Sequence, residues 1–411
     1  MRSTEDEHKT HILFVHHGKG LGGAPLSLLY LIKGLDDRHY SKTVVFLHDS
    51  EVIQLYRAEK LTVIGPVNVM DFPHTKIWWL RWYHIGTIVR SIFDTLTTIF
   101  WVAPHILKQA KPDIVHLNTS SLIGWAIAAH RYNIPVAWHV REPLADGYCG
   151  IRKAMVRWCV KRFSNAIIPI SHSDAKPWRH NSKTWVTHNA VDAHRFDAAR
   201  STQTFLAQHH LNHSSLKILF LGGLSAEKGT HIIVEAFRRI RSCHPEAQLL
   251  IAGNFNATVP KKHAVKRFLP ATRFKQRVAQ SVADLGSSVR LLGTIYDIPE
   301  AMAASSVIVF PATVGHFARP IIEAGFMKKP VIASRLAPLD ELVLDEQTGF
   351  LVEATNYDAW AEKLCLLLCD QHLNKLMGQT GYQFCTQHFN VENHVSRIEH
   401  IYKSMLTKEI S

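Results

Sequence analysis

The stretch KPDIVHLNTSSLIGWAIAAHRYNIPVAWHVRE, Lys111 to Glu142, decides how the chain is read. Its first apolar run, DIVHL, ends in polar residues. SLIGWAIAAHRYN then reads as a helix, and IPVAWHVRE is apolar again up to His139, Arg141 and Glu142. Short apolar runs on either side of a helix fit buried parallel strands joined by a crossover, because a strand covered on both faces loses the in-out alternation of a half-exposed one. Sheets of this kind bind ligands beyond the C-terminal ends of their strands. His116, Asn118 and His139 fall at such ends. His139 by itself reads either as a core histidine or as a site residue.

The same unit repeats outward. HILFVHH (11–17) reads as a first strand and APLSLLYLIKGL as its helix, with Pro25 suitably placed in the first turn. Between them, GKGLGGA sets Gly18, Gly20 and Gly23 in the GxGxxG spacing of a dinucleotide loop, and Asp49 follows the next strand, TVVFLHD, somewhat later than that motif places its acid. LTVIGPVNV and SNAIIPIS add strands, and the polar stretch to Ser215 reads as a linker. A second set opens with LKILFLGGLSAEKGTHIIVEAFRRI, again strand, glycine loop and helix, now with Lys228 in the loop. AQLLIAGN, SVRLLGTI, SVIVF, PVIAS and GFLVE continue it as strands. Two Rossmann-like α/β domains are expected, with the site in the cleft between them.

PATVGHFARPIIEAG, Pro311 to Gly325, follows the strand VIVF and opens onto a helix. A helix start beyond a buried parallel strand offers unpaired N–H groups and a positive dipole end, which suits a diphosphate. Glu323, four residues after Arg319, reads either as an acceptor for sugar hydroxyls or as a solvated first-turn glutamate.

Composition narrows the partners. The 411 residues carry a formal net charge of +13 and 27 histidines, which favours anionic partners. MRSTEDEHKT has no apolar core, so no secretory signal is expected there. The six cysteines are scattered without a CxxC pair and are expected to be buried free thiols in a reducing cytoplasm. Lys76 to Leu107 is the nearest approach to a membrane span. With Trp78, Trp79, Trp82, Tyr83 and Trp101 beside basic residues, it reads either as an amphipathic helix at an anionic membrane surface or as a helix packed on its own domain. The basic segment Pro260 to Arg277 has only Phe268 and Phe274 as aromatics, a poor platform for single-stranded nucleic acid, and no nucleic acid partner is expected.

Taken in order, GLGGAPLSL, DIVHLN, WHVRE, THNAVDAHRF, LGGLSAEKG, the run from Val289 to Ser334 and DEQTGFLVE resemble the retaining glycosyltransferases of family four, which have the GT-B fold. The resemblance implies an acceptor-binding domain over residues 1–200, a nucleotide-sugar domain over 201–388 with parallel sheets facing across a cleft, and a crossover helix over 389–411 that packs back on the first domain. It implies that Gly22 and Gly23 lie against the donor phosphates and that Lys228 neutralises the diphosphate. Phe317 and Ala318 match the loop that meets the transferred sugar, Arg319 and Ile322 line the same turn, Glu323 matches the glutamate assigned to the ribose, and His139 matches the histidine near the reacting carbon. His139, Lys228 and Glu323 are thus the catalytic candidates. Two positions depart from the family pattern: Gly223 stands where arginine is usual, and Gly315 stands where the first of two glutamates is usual. His316, Arg319 and Arg141 are the nearest substitutes.

The expected activity is transfer of a hexose from a UDP- or GDP-sugar to a glycan or lipid-linked acceptor, with retention, no cofactor and no metal. The chain has no Asp-x-Asp motif. A cytoplasmic protein, peripheral at the inner membrane face, is expected. The alternatives are a non-catalytic member that binds nucleotide-sugar or membrane, and a nicotinamide-dependent oxidoreductase built on Gly18, Gly20 and Gly23.

Overall fold

The computed structural model describes residues 9–407 apart from 19, 21, 74–81, 145, 214–215, 254 and 256–269. Trp78, Trp79 and the residues of the basic segment up to 269 therefore lie outside the described residues.

Runs rich in Val, Ile and Leu become strands in both halves, fully buried at the centre of each sheet and partly exposed at the edge strands Thr62–Ile64 and Val289–Gly293, since branched side chains pack well on a pleated surface covered on both faces. In the first half these are β1 (Thr10–His16), β2 (Tyr40–Phe46), β3 (Thr62–Ile64), β4 (Ile114–Leu117), β5 (Val136–Val140) and β6 (Ala166–Pro169). They form one parallel sheet in the order β3-β2-β1-β4-β5-β6, with Ile12 opposite Ile114 and His139 opposite Ile168. In the second half β7 (Lys217–Phe220), β8 (Gln248–Ala252), β9 (Val289–Gly293), β10 (Val307–Phe310), β11 (Val331–Ser334) and β12 (Gly349–Val352) form a second parallel sheet, β12-β11-β10-β7-β8-β9.

The chain divides into two units, Met1–Ala190 with Val391–Ser411, and Val191–Asn390. The last helix, Val391–Leu406, belongs to the first unit. Ile398, Ile401, Tyr402 and Met405 on its inner face join the core around Ile12, Phe14 and Leu28, and Val395 presses against Gly34 at the end of the helix Gly23–Gly34.

One helix is turned inside out. Ile85–Ala110 runs unbroken for 26 residues, with a π-helical turn at Thr98–Val102, and directs Ser91 and Thr98 inward. Ile85, Val89, Ile92, Phe93, Leu96 and Phe100 point to solvent. The six cysteines are all free, but only Cys159 and Cys385 are buried. Cys149, Cys243 and Cys369 are exposed, which corrects the expectation of buried thiols: scattered cysteines on helix faces and loops follow those faces outward.

Candidate functional site

In the first unit the C-terminal ends of β1, β4 and β5 bring together His16, His116, Asn118, His139 and Arg141, all buried. Their hydrogen bonds determine the protonation pattern. Arg141 Nη2 can only donate, so His139 Nδ1 is an acceptor and His116 Nε2 must be the donor to it; His116 Nδ1 therefore accepts the O–H of Tyr402, a phenol that burial keeps neutral, at 2.7 Å. His116 Nε2 then carries the proton and donates to His139 Nδ1 at 3.3 Å, where Arg141 Nη2 also donates at 3.3 Å. Arginine has no acceptor, so His139 is the tautomer with hydrogen on Nε2. Asn118 accepts from Arg141 Nε at 2.8 Å and donates to His16 Nδ1 at 3.1 Å, which leaves the His16 proton on Nε2 as well. Arg141 is held further by Asn189 Oδ1. The Nε2 atoms of His16 and His139 are buried and have no hydrogen-bond partner among the described residues.

Burial first, then the Arg141 guanidinium and neighbouring rings, hold His139 and His116 well below the usual imidazole range. His16 is lowered by burial and then by His17 and Arg141, and His394, from the last helix, is lowered to about 3, mainly by burial. The cluster is therefore a set of neutral N–H donors. It is tied by a long contact, Asn118 Nδ2 to the Ala24 carbonyl at 3.4 Å, to the start of the helix Gly23–Gly34. Gly22 and Gly23 at that start are exposed, no side chain caps it and no acid lies in its first turn. Beside the cluster, burial raises the Glu142 carboxyl to about 7, against the pull of its hydrogen bonds from Thr119.

In the second unit the loop after β7 and the loop after β10 are stitched together. Thr313 donates its N–H to the Glu227 carbonyl at 2.9 Å and its hydroxyl to the Ala226 carbonyl at 3.0 Å. Thr230 closes the first loop on itself, donating to the Gly223 carbonyl at 2.7 Å and accepting from the Ser225 N–H at 2.9 Å. Lys228 emerges from this frame with its side chain open to solvent, while the surrounding protein mass lowers its pKa. Its charge reaches His316, whose ring donates to the Val314 carbonyl at 2.9 Å and is held below the usual range chiefly by burial.

The helix Arg319–Phe326 begins after Ala318 with no side-chain cap and no acid in its first turn. Glu323 is buried rather than solvated, and Arg319 Nη2 donates to its Oε1 at 2.9 Å. Ala318 and Ile322 are core residues, so what they offer a ligand is backbone, and Phe317 is half-buried against the same core.

The two departures from the family pattern have physical causes. Gly223 has φ +58, where an arginine would be strained. A Cβ at Gly315 would collide with the Ala337 carbonyl oxygen, so the backbone occupies the space through which a glutamate would leave the chain. Asn189, Tyr402 and His394 were not singled out from sequence. Asn189 lay inside THNAVDAHRF, but no spacing pointed to Tyr402, 286 residues from His116.

Two parallel six-stranded α/β sheets of this topology define the GT-B class. The model for glycosyl transferases group 1 matches residues 201–384, and that for glycosyltransferase family 4 matches residues 21–195. The chain belongs to this glycosyltransferase family, which displaces the dinucleotide reading of Gly18, Gly20 and Gly23. It is 24% identical over 198 residues to the capsular polysaccharide biosynthesis glycosyltransferase CapM of Staphylococcus aureus, covering 48% of each chain. It is 24% identical over 350 residues to the UDP-Gal:alpha-D-GlcNAc-diphosphoundecaprenol alpha-1,3-galactosyltransferase of Escherichia coli, covering 80% of this chain and 85% of that one. The matched regions span about half the length of the first curated relatives. Anabaena HepE, solved in complex with UDP, superposes with a TM-score of 0.76 at 21% identity over 96% of this chain and all of that one, a likeness of fold.

Proposed function

We propose that the chain transfers a hexose from a nucleoside diphosphate sugar to a glycan or lipid-linked acceptor, with retention and without a metal. The observation that carries this reading is the lysine loop: Lys228 projects from a frame hydrogen-bonded to the Pro311–Ala318 loop, which leads directly into the uncapped start of the helix Arg319–Phe326. A cation on a loop joined to a helix start that no side chain caps suits a diphosphate whose negative charge grows as it leaves. The bond from the sugar carbon to the β-phosphate oxygen breaks with its electron pair going to that oxygen. The acceptor hydroxyl oxygen bonds to the same carbon, and its proton passes to the departing phosphate. Gly22 and Gly23 offer a second uncapped helix start to the phosphates, Glu323 faces the nucleotide ribose, and Phe317 and Ala318 face the sugar. His139, enclosed and neutral, supplies its Nε2–H as an orienting donor to a sugar oxygen. The Escherichia coli relative, whose name specifies UDP-galactose and a diphosphoundecaprenol-linked acceptor, supports UDP as the donor nucleotide and a lipid-linked acceptor.

A second reading is a member that binds nucleotide-sugar without transferring it. It is favoured by Gly315, whose surroundings leave no room for the usual glutamate. Thermal shift with UDP, GDP and their sugars, followed by transfer assays across the same donors, separates the two. A shift of several degrees with one nucleotide series, and turnover with its sugar, is expected. A shift without turnover establishes the second reading, and no shift with any nucleotide overturns both.

A further inference from the structure

The helix Ile85–Ala110 is long and apolar enough to cross a membrane by length and composition, yet only 17% of its apolar window is buried. It is also pinned lengthwise to its own unit. Ser91 donates to the Asp71 carbonyl, Asp94 accepts from the Met70 N–H at 3.0 Å, Gly124 packs on Thr98, and Ile99, Ala103, Ile106 and Leu107 are buried. A helix held along its whole inner side lies on a surface rather than spanning it. Its apolar residues recur on the outer side at helical spacing, an inverted amphipathicity that water disfavours. Trp101 is 67% exposed and Trp82 74% exposed beside this stripe.

The apolar face continues onto neighbouring helices. The Arg131 guanidinium lies 4.8 Å over Phe100, His130 next to it packs on Phe163, and Phe163 packs on Trp158. Trp158 shares one exposed ridge with Ile151 and Met155, at positions 0, 4 and 7 of the helix Ile151–Phe163. The flank of that helix carries Lys153, Arg157 and Lys161, which with Lys176, Arg179 and His180 line a pocket of about 500 Å³. Asp146 pairs with Lys153 at its edge. Across 82–110, 123–132 and 151–163 there are eight lysines and arginines and one acid, Asp94.

From these observations we infer that this face of the first unit docks on the surface of an anionic phospholipid bilayer, with Phe93, Trp101 and Trp158 entering the interface and the Lys153–Arg157–Lys161 pocket taking lipid phosphate. Tryptophan ridges beside lysine and arginine match the chemistry of the headgroup layer, where aromatic rings and cations both find partners. The charge ratio selects anionic lipid over a neutral surface. The inference does not rest on the transfer reading, since vesicle binding is measured without any sugar donor.

Co-sedimentation of the full chain with phosphatidylcholine vesicles, and with vesicles holding about one third phosphatidylglycerol, tests it. Binding to the anionic vesicles should exceed that to neutral ones by about tenfold or more and should weaken when salt rises from about 0.1 to 0.5 M. Phe93→Glu with Trp101→Glu should abolish binding. Arg157→Glu with Lys161→Glu should reduce it by about tenfold while leaving nucleotide thermal shift unchanged. Equal binding to both vesicle types, or none, overturns the inference. So does a wild-type dimer in light scattering that the Phe93 and Trp101 variant converts to monomer, because the face would then be covered by a second copy.

Discussion

At the ends of β1, β4 and β5 the first unit gathers enclosed, neutral ring nitrogens, whereas beyond β7 and β10 the second presents an exposed ammonium and a helix start without a side-chain cap. The same topological position is thus built in two ways. In the first unit side chains hold one another across long sequence distances, through Tyr402, His116, His139, Arg141 and Asn118. In the second, loop carbonyls and hydroxyls hold the backbone and leave the Lys228 side chain exposed. Neutral, fixed donors suit hydroxyl groups, and an exposed cation with a helix dipole suits a diphosphate.

Acid should break the first region before the second. His16, His116, His139 and His394 all have folded pKa values below their unfolded ones, so the unfolded state binds more protons once pH drops below about 6.5. Each contributes stability that is present above that pH and is lost as pH falls, up to about 1.4 kcal/mol per pH unit. Glu142 has the opposite sign. Its folded value of about 7 lies above the ordinary 4.5, so its contribution is present below pH 4.5 and is lost as pH rises towards 7. Within this region four groups against one leave a net fall of roughly 4 kcal/mol per pH unit as pH drops below about 6, and the lowered His209, His231 and His316 of the second unit act in the same direction. Denaturant midpoints measured between pH 7 and 5 check this, and a flat profile would mean that the histidines are not buried neutral.

Removing the cation tests the second region. Lys228→Ala should lower turnover by about 10²–10³-fold, the usual scale for losing one group that stabilises a developing oxyanion, with little change in thermal stability because the side chain is open to solvent. Unchanged turnover would remove Lys228 from the diphosphate site.

Much of the architecture was legible because it is local. HILFVHH, DIVHLN and VIVF are short apolar runs bounded by polar residues, and each became a buried strand. The loop carrying Lys228 was equally readable as glycines between a strand and a helix. The histidine network was not, since its contacts are set by sheet order: β1 lies beside β4, and the last helix returns to cover them. The reason for Gly315 was hidden for the same reason, because Ala337 approaches it from a separate loop. The outward face of Ile85–Ala110 was only half readable, as periodicity defines a stripe without saying which way it points.

That approach of Ala337 gives a sharper test of the second region. Gly315→Ala should cost about 1–3 kcal/mol of stability, as expected when a methyl is forced into occupied space. Gly315→Glu should be at least as destabilising and should not raise turnover, although it restores the family residue. A glutamate variant of wild-type stability and higher activity would show that the Ala337 loop yields easily and that the missing carboxylate is a simple loss.

The smallest effect is the most specific to the first region. Tyr402→Phe removes the O–H that His116 Nδ1 accepts and leaves the packing of the ring in place. A stability loss of about 1 kcal/mol is expected from one unsatisfied buried nitrogen. The more telling readout is the tautomer: without the Tyr402 donor, hydrogen on His116 Nε2 is favoured only by the 3.3 Å contact to His139 Nδ1, so His116 is freer to move its hydrogen to Nδ1, while Arg141 keeps His139 protonated on Nε2. Nitrogen-15 shifts of the His116 and His139 rings report this directly. A variant that loses stability with both tautomers unchanged would assign Tyr402 to packing alone, whereas a change at His116 that lowers kcat and leaves KM unaltered would make it a positioning residue for His139.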